Sequence, residues 1–122
     1  MSVSTHVLDA SLGTPAAGIP VTLARLAADG LALPRLAGVW QDAGAGVTDP
    51  DGRHRFGAET PGGVYRLTFG TGEYFTARGV AAFYPEVTVT FTIPEPAGTA
   101  SAAHFHVPLL LSPFAYSTYR GS

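Results

Sequence analysis

Cysteine is absent from these 122 residues, which excludes a disulfide framework, a thiolate nucleophile and any Cys-based zinc site. Lysine is absent as well: the seven basic residues are all arginine, and beside the many Ala, Gly and Pro this reflects a GC-rich coding sequence before it reflects a function. Charge of either sign is scarce. Charged residues make up 13% and the formal net charge is -2, so the chain carries no electrostatic footprint for nucleic acid. No apolar run approaches the roughly 20 residues of a membrane span. The opening MSVSTHVLDA lacks the basic and apolar regions of a signal peptide, and the closing Arg-Gly-Ser is not a peroxisomal address. These absences lead to the expectation of a cytoplasmic protein with no nucleic-acid and no membrane partner.

What is present is a 46% hydrophobic chain, apolar for so small a protein. Surplus apolar surface of this kind ends up in a partner interface, so an oligomer is expected. The length fits one domain over residues 1–122.

Short β-branched and aromatic runs alternate with Gly/Pro/Asp clusters, the pattern of an all-β sandwich. Strands are expected at Val3–Asp9, Pro20–Leu26, Leu36–Gln41, Arg53–Phe56, Val64–Phe69, Glu86–Ile93, Ala103–Leu111 and Phe114–Tyr119. Asp49-Pro50-Asp51-Gly52 is a turn, with proline pre-setting φ and Asp and Gly accepting the angles that follow. Thr71–Ala82 lacks alternation, opens with a capping-type threonine and places Glu73 in its first turn, which predicts one short helix.

Side chains alternate across a strand, so period two sorts them by face. Phe105, Val107, Leu109 and Leu111 share an apolar inner face, which turns His104, His106, Pro108 and Leu110 outward. Ser4, His6 and Leu8 share one face of the first strand, as Ala115, Ser117 and Tyr119 do in the last. An outer face mixing His, Ser and Tyr with apolar groups, and poor in charge, fits a surface buried between subunits yet lining a ligand cavity. His6, His104 and His106 also admit a zinc reading, because i and i+2 share a face and imidazole is a common ligand. With no carboxylate beside them in sequence, zinc ranks below a site without metal. No Gly-x-Ser-x-Gly elbow exposes Ser117 or Ser122 as a nucleophile, and Gly44-Ala45-Gly46 has neither the lysine nor the following helix of a phosphate cradle.

The segments STHVLD (4–9), TDPDGR (48–53), GVYRLTFGTGEYF, FYPEVTVTF and HFHVPLLLSPFAYSTYRGS resemble the purine-catabolic branch of the transthyretin-like family, the 5-hydroxyisourate hydrolases. The resemblance runs over essentially the whole chain, and the terminal Tyr-Arg-Gly-Ser is its most specific part. It implies a transthyretin-like sandwich of two four-stranded sheets with one short helix, assembled as a homotetramer (a dimer of dimers) with sites at the dimer–dimer interface. It implies hydrolytic opening of the six-membered ring of 5-hydroxyisourate, with no cofactor and no metal. His6, Arg53 and His106 match the family's catalytic positions, and Tyr119, Arg120, Gly121 and Ser122, with Ser117, its substrate-binding ones. Phe105 and Ala115 depart from the commoner Tyr and Gly without touching a matched catalytic position. A planar guanidinium suits a flat acidic heterocycle, and a histidine suits the base that activates water near neutral pH. The rival expectation is a transthyretin-like carrier of a thyroid-hormone-type molecule, without catalysis.

Overall fold

The computed structural model describes residues 2–27, 38–57, 60–95 and 103–121. Its elements are β1 (Ser2–Asp9), β2 (Thr14–Pro15), β3 (Pro20–Leu26), β4 (Trp40–Val47), β5 (Arg53–Phe56), β6 (Gly63–Phe69), α1 (Thr71–Ala77), β7 (Val87–Ile93), β8 (His104–Ser112) and β9 (Ala115–Thr118). They form two sheets. One runs β2-β1-β8-β9, with β5 also paired to β1; the other runs β4-β3-β6-β7. All pairings are antiparallel except β1 with β8, which run parallel over their full length from Ser2↔His104 to Asp9↔Leu111.

The inner faces are apolar and shut off from water. Val3, Val7 and Leu109 from the first sheet and Val21, Leu67 and Phe69 from the second are fully buried. Along β1 burial alternates strictly, with Val3, Thr5, Val7 and Asp9 inward and Ser2, Ser4, His6 and Leu8 outward. Phe105, Val107, Leu109 and Leu111 are buried likewise, so the period-two assignment of faces holds on both strands.

Four expectations need correction. The strand expected at Leu36–Gln41 is β4, displaced to Trp40–Val47; residues 36 and 37 lie outside the described residues. Gly44-Ala45-Gly46 lies in this strand, where the rings of Phe56 and His54 cover Gly44 and Gly46 so closely that a side chain would not fit. The pairing with β3 skips Ala43, a bulge that absorbs the irregularity. The helix ends at Ala77, five residues short of the expected Ala82. Gly79 (φ +69°) takes the left-handed conformation, and the bonds Gly79 N–H to Thr76 O and Val80 N–H to Phe75 O close a Schellman stop. Thr71 is not the cap: Gly70 holds that position, and the buried Thr71 hydroxyl has no hydrogen-bond partner. The first sheet also gains a strand, because the two-residue β2 pairs Leu8 and Asp9 just beyond the end of β5.

The helix is tied to the first sheet by a buried bond, Tyr74 Oη donating to Asp9 Oδ2 at 2.7 Å. Asp9 Oδ1 accepts from Ser11 N, Ser11 Oγ and Leu12 N. Burial pushes the Asp9 carboxyl up, but the donors from Ser11, Tyr74 and Leu12 outweigh it and hold its pKa below the usual 3.8. Burial and the same carboxylate push the Tyr74 phenol up to about 12.

Candidate functional site

The outer face of the first sheet gathers the polar residues, and register decides which ones meet. In β1–β5, His6 lies opposite Arg53 and Ser4 opposite Arg55. In β1–β8, Ser4 lies opposite His106 and His6 opposite Pro108. His6 and His106 are therefore diagonal neighbours, and Arg53 flanks them from the far side of β1.

Arg53 owes its place to the turn before it. Asp49 Oδ1 accepts from the Asp51 and Arg53 backbone N–H groups, each at 2.9 Å, and Gly52 N–H bonds back to Asp49 O at 2.8 Å. Gly52 (φ +76°) is buried, and its carbonyl accepts from Val7 N–H at 2.7 Å. A Cβ there would run into Val7 O, so only glycine lets the turn close against β1 and deliver Arg53 at the start of β5.

Between these strands opens a cleft of about 470 Å³ lined by Ser4, Asp49, Arg53, Arg55, His104 and His106, among others. The imidazoles are not loose in it. Ser4 Oγ lies 2.8 Å from His106 Nδ1 and 2.7 Å from His104 Nε2, while Ser2 Oγ lies 2.6 Å from His104 Nδ1. With Nδ1 of His106 engaged, Nε2 is the nitrogen left for chemistry. Burial depresses the His106 pKa below 6.5, and the charges of His104, His6 and Arg53 add to the effect against a smaller opposing bond from Ser4. His104 is depressed too, by burial and by Arg55. Both rings therefore favour the neutral form more than a free imidazole does, and a neutral imidazole with a free nitrogen accepts a proton from water.

The chain end passes directly over His106. Gly121 N–H bonds to His106 O at 2.8 Å, and Gly121 and His106 form a β-bridge. A Cβ on Gly121 would lie 2.6 Å from His106 Cδ2, the carbon next to Nε2. Tyr119 is more than half exposed. The Arg120 guanidinium lies over the Phe105 ring, 4.9 Å from its centroid. Tyr119 and Arg120 border a second cleft, about 250 Å³, with Val89, Phe91, Phe105 and Val107; His106 belongs to both clefts. Ser117 pairs with Leu110, four positions along β8 from His106, on the same face but further down the sheet. Ser122 lies outside the described residues.

The structure therefore brings together His6, Arg53, His106 and Gly121, puts Tyr119 and Arg120 on the second cleft that His106 shares, and leaves Ser117 further along the sheet. Sequence reasoning put Ser4 on the outer face without giving it a role, and passed over Ser2 and Arg55. The signal for Ser4 was its position two residues before His6, on the same face. Among the described residues, no group of three His, Asp or Glu side chains is gathered so as to hold a metal ion. No described helix is long and apolar enough to cross a membrane.

Comparison with known proteins agrees over nearly the full length. The family model described as HIUase/Transthyretin matches residues 3–121. A 5-hydroxyisourate hydrolase of Mesorhizobium japonicum is 44% identical over 124 residues, covering 98% of this chain and 91% of its own. The solved 5-hydroxyisourate hydrolase of Klebsiella pneumoniae superposes with a TM-score of 0.79 at 35% identity, covering 100% of both chains. Sea bream transthyretin in complex with thyroxine superposes with a TM-score of 0.81 at 33% identity, covering 98% of this chain and 93% of that one.

Proposed function

The chain belongs to the HIUase/transthyretin family, and from that membership we propose that it is a 5-hydroxyisourate hydrolase acting in urate degradation. Backbone similarity is equal for hydrolase and hormone-binding relatives, so the side chains decide between them. One observation carries the reading: a neutral His106, fixed through Nδ1 by Ser4, sharing a cleft with Arg53. A carrier has no use for an activated base there.

In this reading the Arg53 guanidinium binds the flat, acidic ring and stabilises the charge that develops on the attacked oxygen. Water attacks the amide carbonyl of the six-membered ring while His106 Nε2 takes its proton, and His6 helps to hold that water. The C–N bond then breaks, and the proton passes from His106 to the departing ring nitrogen. The product is 2-oxo-4-hydroxy-4-carboxy-5-ureidoimidazoline, on the route to allantoin. Tyr119 and the terminal Arg120-Gly121-Ser122 close over the ring, and Ser117 contributes from further along the face.

The working form is a single-domain, cytoplasmic homotetramer, a dimer of dimers with this outer face at the dimer–dimer interface. Its support is the apolar surface left on and beside that face: Leu110, Phe114, Tyr116 and Tyr119 are all exposed.

The test is a coupled ultraviolet assay. Urate oxidase generates fresh 5-hydroxyisourate, the purified protein is added, and decay of the intermediate is compared with its spontaneous rate. Acceleration is expected, with a loss of ~10²–10⁴-fold in a folded His106→Ala variant. No acceleration, together with saturable binding of thyroxine, would move the assignment to the carrier.

A further inference from the structure

Resting on the hydrolytic reading above, we infer that Ser4 is a positioning residue for His106, and that Ser2, His104, Ser4 and His106 form a hydrogen-bonded relay that parks the proton taken from water on His104.

A serine hydroxyl has one hydrogen to give and lone pairs to receive. Ser4 Oγ sits between two imidazole nitrogens, His106 Nδ1 at 2.8 Å and His104 Nε2 at 2.7 Å. It therefore accepts from one ring and donates to the other, and only two polarities exist. In the first, His106 Nδ1–H donates to Ser4 Oγ, Ser4 O–H donates to His104 Nε2, and His104 Nδ1–H donates to Ser2 Oγ at 2.6 Å. Every polar atom of both rings is then satisfied except His106 Nε2, which is left bare. In the second, His106 carries its proton on Nε2 and is no base. Both polarities satisfy the hydroxyls, and only the first leaves His106 a base; the relay therefore requires the first, with Ser4 as the orienting partner of the catalytic histidine.

The same chain offers a path for charge. His106 faces Arg53 from β5, with His6 on β1 and His104 along β8, so an imidazolium held on it lies beside the Arg53 guanidinium. His104 faces the Arg55 guanidinium and is the more exposed of the two rings. His54 also borders the cleft, and the Asp49 carboxylate at its rim is occupied by the turn. Arg120 is held over Phe105.

The transfers balance. Water's O–H breaks and a bond forms at His106 Nε2. The Nδ1–H of His106 passes to Ser4 Oγ as the Ser4 hydrogen passes to His104 Nε2, leaving His106 neutral and His104 an imidazolium whose Nδ1–H still points at Ser2. When the C–N bond breaks, the same steps run backwards and the Nε2 proton goes to the leaving nitrogen. No external acid, base or metal enters.

The test compares Ser4→Ala, Ser4→Thr and His104→Asn with the wild type. Nitrogen-15 NMR of the full chain above pH 7, without substrate, should find His106 as the Nδ1–H tautomer in the wild type and Ser4→Thr, and redistributed in Ser4→Ala. Ser4→Ala and His104→Asn should lower kcat on the order of 10- to 100-fold, the size of a lost hydrogen bond to a charged ring. KM should move by less than about twofold, because in this reading Arg53 holds the ring while Ser4 and His104, though they line the same cleft, act through His106. The proton inventory in mixed light and heavy water should be curved in the wild type and linear in His104→Asn. Ser4→Ala with wild-type kcat and an unchanged tautomer, or a curved inventory in His104→Asn, overturns the relay. A wild type that fails to accelerate ring opening would sink the hydrolase reading instead, while the tautomer comparison, which needs no substrate, would still decide whether Ser4 orients His106.

Discussion

Gly121→Ala is the sharpest probe of the terminal segment. The backbone of Gly121 is not in a left-handed conformation, so alanine is unobjectionable there on φ alone. The difficulty is space. The new Cβ would stand 2.6 Å from His106 Cδ2 and 3.2 Å from Cγ, whereas unstrained carbons rest ~3.5–4.0 Å apart, so something must give by about 1 Å. Either the imidazole turns and loosens its bond to Ser4, or the chain end lifts and breaks the 2.8 Å bond from Gly121 N–H to His106 O. Both responses misplace a group beside the reacting atoms. A displacement of that size costs up to about 100-fold in rate. Gly121 contributes nothing to the buried core, so stability should change by less than about 0.5 kcal/mol. The coupled ultraviolet assay, run with thermal denaturation on the same sample, should find kcat/KM reduced at least about tenfold with Tm unmoved. A kcat/KM equal to wild type would refute the idea that the chain end is part of the site.

Two further outcomes follow from ionisation. Tyr74→Phe strands Asp9 Oδ2 without a donor; a hydrogen bond to a charged group is worth ~1.5–3 kcal/mol, which for a chain of this length lowers Tm by about 6–12 °C at pH 7. Because the folded Asp9 pKa lies below its unfolded value, the bond's contribution is full above the unfolded pKa and fades as pH falls through the folded one; melts should therefore converge in acid, and a gap that widened there would falsify the assignment. His106 must be neutral to act, and burial with its neighbours' charge lowers its pKa below the usual 6.5, so the acid limb of kcat/KM should lie below that of a free imidazole. Arg53→Gln should shift the acid limb to higher pH as it lowers the rate, and an unmoved limb would show that Arg53 does not act on His106.

The faces of β1 and β8 were legible in the sequence because strand alternation is local: Phe105, Val107 and Leu109 declare the inner side, and His104 and His106 must then point out. The Asp49–Gly52 turn was legible for the same reason. The end of α1 was missed although its signal, Gly79, stands in the chain; the Ala-rich stretch beyond it masked a stop that depends on one left-handed residue. β4 was misplaced because its glycines accommodate rings arriving from β5, a tertiary cause that propensity does not contain. The partners of Ser4 and the role of Arg55 were not legible because they depend on registers across to β8 and β5, and register between distant strands is not written in either strand alone. The position of Arg120 over Phe105 is likewise set by how the chain turns after β9.

The parallel pairing of β1 with β8 bears on how the protein comes into being. Ser4 and His106 are separated by 102 positions, while the second sheet is drawn from one continuous stretch between Pro20 and Ile93. During synthesis β3, β4, β6 and β7 can meet as neighbours, but β1 must wait for β8, which begins only at His104, in about the last sixth of the 122-residue chain. Closing so long a loop is slow and comes late in folding. Meanwhile Val3 and Val7 face an unfinished core, and one edge of β1 stays open to any other strand nearby. Such a chain has a nearly complete second sheet and no catalytic centre. The yield of active molecules, more than their intrinsic rate, will then depend on temperature and on crowding by nascent copies.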